Sequence, residues 1–199
     1  MAQETPLRIV LASGSPRRAE LARAEGWQVR VCPPPDEAEE TAAPRGPRES
    51  LEEFVIRLAS VKAAAVVEQG VTGLVVACDT VGEVEGLVLG KPADRTDAAR
   101  MLQALSGRTH RVVSGVCLWR IAEDGSRGEP LTGSAESTLF LPSLDEAFLD
   151  DYLASGLWKG KAGACGFQDG RIPLTLIAGS PSNVVGLPLE LLRGMLALP

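Results

Sequence analysis

A chain of 199 residues with a single histidine has few routes to histidine-based chemistry. Any Ser-His-Asp or Cys-His arrangement would rest on His110 alone, and His110 lies inside the strand-like run RTHRVVSG, where a structural role is the favoured reading. The zinc-hydrolase pattern H-E-x-x-H needs two histidines, and neither G-x-x-x-x-G-K-[ST] nor G-x-G-x-x-G opens a helix here. The four cysteines, Cys32, Cys78, Cys117 and Cys165, stand far apart with no C-x-x-C pair. That argues against a zinc site or a small disulfide scaffold and suits a reducing cytosol. The apolar run near the N-terminus, Ile9 to Ala12, is only four residues long, too short for a signal peptide or a membrane span. A soluble, cytoplasmic protein without membrane or nucleic-acid partners is expected.

What is present is a chain that is 45% hydrophobic, enough for a substantial core. Twenty Lys+Arg against 26 Asp+Glu give a net charge of −6. Such a chain is not drawn to polyanions by its overall field, so any anion it binds must be held by a local cluster.

Strand and helix patterns alternate along the chain. Arg8 to Ala12 reads as a buried strand, and Ser15 as an N-cap with Pro16 at the first helical position, opening a helix to about Ala24. Trp27 to Val31 reads as a second strand, closed by Pro33-Pro34-Pro35, and an acidic, Pro-rich loop follows. Ser50 to Glu53 forms a capping box opening a long helix that ends near Gly70. Leu74 to Cys78 is an apolar strand with Asp79-Thr80 at its carboxyl end, and Val84 to Leu89 a ribbon around Glu85-Gly86. A helix over about Asp97 to Leu105 precedes two long strands, Thr109–Ile121 and Leu131–Leu141, joined through EDGSRGEP as a hairpin. Ser143 to Glu146 reads as a second capping box, Ile172 to Ile177 as a strand, and Leu187 to Leu198 as a closing helix. The pattern implies one domain, residues 1–199, with a mixed-sheet α/β fold rather than a purely parallel one.

The chemistry-bearing residues are cations, carboxylates and glycine-rich loops. The helix opened by LASGSPRRAEL carries Arg17 and Arg18 in its first turn, where the helix dipole disfavours each cation by about 0.3–1 kcal/mol. Either both arginines sit on a solvated helix end, or they join the backbone N–H groups in holding an anion. Asp79 ends an apolar strand, where α/β proteins place ligands, and must be paired, capping or metal-bound. Lys62 falls beside the apolar face of the long helix, so it either snorkels or points into a polar cleft. Lys91, between Gly90 and Pro92, is a fixed ammonium or a surface turn. Asp36, Glu37, Glu39 and Glu40 offer oxygen ligands for Mg²⁺ or a solvated acidic loop. Without a histidine base, this set suits metal-assisted attack on a phosphate better than acyl transfer.

The stretches LASGSPRRAEL, RLASVKA, ACDTVG, GKP, ARMLQALSGRTHRVVSGV, KAGACGFQDG and VVGLPL, in this order from Leu11 to Leu189, closely resemble the Maf family of nucleotide pyrophosphatases, also described as septum-formation inhibitors. The resemblance implies hydrolysis of a nucleoside triphosphate to the monophosphate and pyrophosphate, with Mg²⁺ or Mn²⁺, in a house-cleaning role. It also implies an elongated α/β fold like that of inosine triphosphate pyrophosphatases. That fold has a mixed twisted sheet, flanking helices and a cleft between two lobes, and the family points to a homodimer. By motif, Asp79 matches the proton acceptor for the attacking water, and Asp79 with Glu37 the metal ligands. Ser13, Arg17, Arg18, Lys62 and Lys91 match positions that bind phosphates or line the site.

Arg17, Thr80 and Gln168 resemble the branch acting on dTTP and UTP. A Gln168 amide offers a donor and an acceptor, complementary to the N3–H and adjacent carbonyls of uracil or thymine. The chain departs from the family at Cys165, where a tyrosine is common, and carries Asp169 directly after Gln168. The alternatives are a pyrophosphatase for 7-methyl-GTP or other noncanonical nucleotides, and a nucleotide-binding regulator of cell division that does not turn its ligand over.

Overall fold

The computed structural model describes residues 6–35, 43–168 and 170–198. The elements in chain order are β1 (Arg8–Leu11), α1 (Pro16–Ala24), β2 (Gln28–Val31), α2 (Leu51–Val67), β3 (Gly73–Val84), β4 (Leu87–Leu89), α3 (Arg95–Leu105), β5 (Arg108–Ile121), β6 (Leu131–Leu141), α4 (Glu146–Ser155), a 3-10 turn (Ala162–Ala164), β7 (Thr175–Ala178), α5 (Pro181–Val185) and α6 (Leu189–Leu196). The seven strands form one sheet in the order β2-β1-β3-β5-β6-β7, with β4 paired to β3. β1 runs parallel to β2 and β3, whereas β4 and β7 pair antiparallel with β3 and β6. The sheet is therefore mixed, as the alternating pattern interrupted by a hairpin implies. Among the described residues, no helix is long and apolar enough to cross a membrane.

The chain divides into two compact units. The first is Met1–Asp79, Ser114–Ser134 and Gly186–Pro199, and the second is Thr80–Val113 and Ala135–Val185. In the first, successive residues of β1 and β3 point to opposite faces, as the two-residue period of a strand requires. Ile9, Leu11, Leu74, Val76 and Cys78 pack with Ala19 and Ala22 of α1 and Leu192 and Met195 of α6. Val10, Ala12, Val75 and Ala77 pack on the other side with Ala59, Ala63 and Val66 of α2. The Ser50 capping box forms as its sequence indicates, with Ser50 Oγ accepting from Glu53 N and Glu53 Oε2 from Ser50 N. Helix α2 also approaches β5 at backbone distance: a Cβ on Gly115 would lie 2.2 Å from the carbonyl carbon of Val55. Only glycine allows that approach.

The second unit has its own core, in which Leu89, Met101, Leu102, Leu105, Leu141, Tyr152 and Trp158 pack together. The two aromatic polar tips are satisfied, Tyr152 Oη donating to Ala164 O at 3.1 Å and Trp158 Nε1 to Leu153 O at 3.0 Å.

Four sequence expectations are corrected. β3 does not end at Cys78 but continues through Asp79 and Thr80 to Val84, because Gly82 to Val84 pair with β4 across a turn at Glu85-Gly86 (both at positive φ). The N-cap of α4 is Asp145, whose side chain accepts from Phe148 N at 2.8 Å, so the capping box at Ser143 does not form. β7 begins at Thr175, three residues later than the apolar run, since Ile172 is spent in the second unit's core instead. The closing helix starts at Leu189 and a separate short helix, α5, precedes it. Gly186 and Pro188 keep the two apart.

Candidate functional site

Within the first unit, β1 and β3 are parallel and aligned Leu11 to Val76, so Ser13, just past the end of β1, stands level with the Cys78–Asp79 stretch inside β3. This is where parallel sheets present ligand-binding groups. α1 begins at once after β1, with Ser15 at its N-cap, yet Ser15 makes no side-chain cap and the first turn carries no acid. Ser13 Oγ does the local work instead, accepting from Ser15 N and from Arg18 Nη1, both at 3.2 Å. A hydroxyl has two acceptor lone pairs and one donor. With both lone pairs engaged, the Ser13 proton is directed to donate, which suits an anion.

Arg18 is held twice, by Ser13 and by the carbonyl of Gly186, to which its Nε donates at 2.7 Å. Arg17 is half-buried, and that burial, followed by the adjacent charge of Arg18, lowers its pKa, with Glu20 opposing. The two arginines therefore do not lie idle on a solvated helix end.

Lys62 resolves the choice between snorkelling and a polar environment in favour of the latter. It is 5% exposed, and its Nζ donates to Asp79 Oδ1 in an ion pair whose side chains are 6% and 14% exposed. α2 supplies the ammonium from one side of the sheet. The strand alternation turns Asp79 towards α2 while its neighbour Cys78 faces α1. The Cys78 thiol is pushed up to about 11 by complete burial, with Arg18 and Lys62 pulling it down and Asp79 pushing it further up. Charges from α1, α2 and β3 thus converge around the Cys78–Asp79 stretch of this strand.

Thr80, Lys91 and Gln168 belong to the second unit. Thr80 is half-buried, while Lys91 and Gln168 are exposed. Glu37 and Asp169 lie outside the described residues. Among the described residues, no group of three or more His, Cys, Asp or Glu side chains could hold a metal on its own. Asp79 is nonetheless compatible with Mg²⁺, which binds through one or two carboxylates together with substrate phosphates and waters. His110 lies buried within β5. It is 4% exposed, its Nδ1 has no hydrogen-bond partner, and burial lowers its pKa against an opposing backbone hydrogen bond at Arg108.

Two features escaped the reading of individual residues. Lys161, in KAGACGFQDG, is 8% exposed, and its charge acts on the Cys165 thiol, which burial pushes up to about 12. The glycine-lysine-alanine-glycine context resembles a loop and gives no burial signal. Gly186 is the other, since a carbonyl is not visible as chemistry in a sequence.

Comparison with known proteins bears on this arrangement. A dTTP/UTP pyrophosphatase of Rhodopirellula baltica is 44% identical over 192 residues, covering 96% of this chain and 82% of that protein. One from Porphyromonas gingivalis is 40% identical over 190 residues, covering 93% and 90%. A HAM1 protein from Coxiella burnetii superposes more loosely, with TM-score 0.49 at 18% identity over 96% of this chain and 98% of that one. The family model described as "Maf-like protein" matches residues 8–198, and this chain belongs to that family.

Proposed function

We propose that this chain is a nucleoside triphosphate pyrophosphatase that hydrolyses dTTP and UTP to the monophosphate and pyrophosphate. Its support is the family match together with relatives of about 40% identity that carry that activity in their names. The observation that carries it is the buried Lys62–Asp79 pair beside the Ser13–Arg18 cradle, a carboxylate set among fixed anion-binding groups.

In this reading Ser13, Arg17 and Arg18 hold the β- and γ-phosphates with the N-terminal N–H groups of α1. Lys62 fixes Asp79 through Oδ1, which leaves Oδ2 to orient a water and take its proton as it attacks the α-phosphorus. Pyrophosphate leaves along the axis opposite the attack. Asp79 would also hold Mg²⁺ or Mn²⁺, with Glu37 as a second ligand, and the ion would neutralise charge developing on the phosphates. Lys91 is proposed as a further phosphate contact and Arg17, Thr80 and Gln168 as determinants of base preference, on their match to the family's motifs. A homodimer is part of the same proposal.

A panel of dTTP, UTP, CTP and 7-methyl-GTP, with Mg²⁺ present and pyrophosphate and orthophosphate detected separately, tests this function. Pyrophosphate release with dTTP and UTP preferred is expected. A preference for 7-methyl-GTP, or binding without turnover, would overturn it.

A further inference from the structure

The motif VVGLPL has no chemical group that the proposed reaction uses, yet one of its atoms touches the phosphate cradle. Arg18 Nε donates to Gly186 O across 168 residues of sequence, at 2.7 Å. Gly186 has φ +109°, a conformation that L side chains rarely adopt. Two leucines on the way into α6, one on each side of Pro188, anchor the carbonyl. Leu187 is fully buried and Leu189 is 6% exposed, in the same cluster as Ala19 and Ala22 of α1 and Cys78 of β3. The carbonyl is thereby fixed against the helix that carries Arg18.

Arg18 needs such an anchor. It sits in the first turn of α1, beside Arg17, at the positive end of a helix dipole with no acid in that turn. Each of these influences repels a guanidinium. Two acceptors, Gly186 O on Nε and Ser13 Oγ on Nη1, fix the orientation of its plane against them. We infer that the Gly186 carbonyl is a positioning group, which holds Arg18 in its phosphate-binding orientation before substrate arrives. The inference rests on the proposed function and explains why a Gly-Leu-Pro-Leu turn belongs to this fold. The glycine presents the carbonyl, and the two leucines fix where it stands.

The test is a double-mutant cycle. In Gly186→Ala, the KM for dTTP and the inhibition constant for inorganic pyrophosphate are expected to rise together, about fivefold to tenfold, because the guanidinium must be ordered on binding. The inhibition constant for dTMP, which lacks the β- and γ-phosphates, should stay within twofold. In an Arg18→Met background, Gly186→Ala should add less than twofold. A full additional loss in that background, or equal losses for pyrophosphate and dTMP, would overturn the inference as mere structural damage. If Gly186→Ala does not fold, Arg18→Lys decides, since it keeps the charge without the Nε donor. Pyrophosphate affinity as weak as in Arg18→Met supports the anchor, and wild-type affinity refutes it. Wild-type protein that releases no pyrophosphate from dTTP would sink the proposed function instead, and is a separate outcome.

Discussion

Lys62 on α2 and Asp79 on β3, 17 residues apart in sequence, form a nearly buried ion pair in which Nζ donates to Oδ1. The pair joins the helix on one side of the sheet to the strand that carries the proposed base. Breaking a buried pair by removing one partner is far costlier than removing both, because a desolvated charge is left behind. That asymmetry separates the structural from the chemical contribution of Asp79.

Asp79→Asn is expected to lower kcat by about 100-fold or more, the usual loss on removing a general base. It should also lower Tm by about 6–12 °C, reflecting about 3 kcal/mol lost when one partner of the buried pair is removed. The double variant Lys62→Met/Asp79→Asn should recover most of that Tm and none of the activity. Kinetics and thermal melts on the same preparations read both. Activity near wild type in Asp79→Asn would end its assignment as base.

Ser13→Ala removes an acceptor used by Ser15 N and Arg18 Nη1, and with it the hydroxyl proposed to donate to a phosphate. KM for dTTP should rise about tenfold, from the loss of roughly 1–2 kcal/mol of hydrogen bonding. kcat should change less than KM. Steady-state kinetics at saturating Mg²⁺ decide it, and an unchanged KM would show that Ser13 contributes nothing to substrate binding.

His110 supplies a pH dependence of stability unrelated to catalysis. Burial lowers its folded-state pKa below the ordinary 6.5. Between the two values the unfolded chain binds more protons than the folded one, so stability rises with pH. The contribution is complete above about pH 6.5 and is lost progressively as the pH falls towards the folded-state value. Thermal melts from pH 8 to pH 5 should show Tm dropping below about pH 6.5, and His110→Asn should flatten that part of the slope. An identical slope in the variant would remove His110 as its source.

Gln168→Ala should narrow the preference for UTP over CTP by about tenfold in kcat/KM, since one paired hydrogen-bonding edge is lost. Thermal stability should stay unchanged, because Gln168 is exposed. Competition between the two nucleotides measures the ratio directly, and an unaltered ratio would place base recognition elsewhere.

The local elements of this fold were legible because their signals are local. α1, the Ser50 capping box, β4 and the limits of β6 follow from caps, turns and periodicity within a few residues. The errors lie where a tertiary partner overrides the local pattern. β3 runs past Asp79 because β4 comes back to pair with it, and Ile172 is drawn out of β7 into a core. Among the site residues, Lys62 looked ambiguous because helical spacing fixes its face but not its reach to Asp79. Arg17 and Arg18 stood out, since cations contradict the helix dipole locally. The Gly186 carbonyl could not be read at all, being a backbone atom 168 residues from its partner.

In the proposed reaction water attacks the α-phosphorus beside Asp79. Turnover of dTTP in ¹⁸O-labelled water, with mass analysis of both products, locates the bond that breaks. The expected result is dTMP and pyrophosphate in equal amounts, with one label per turnover in dTMP and none in pyrophosphate. Label in pyrophosphate, or orthophosphate and dTDP as first products, would contradict it.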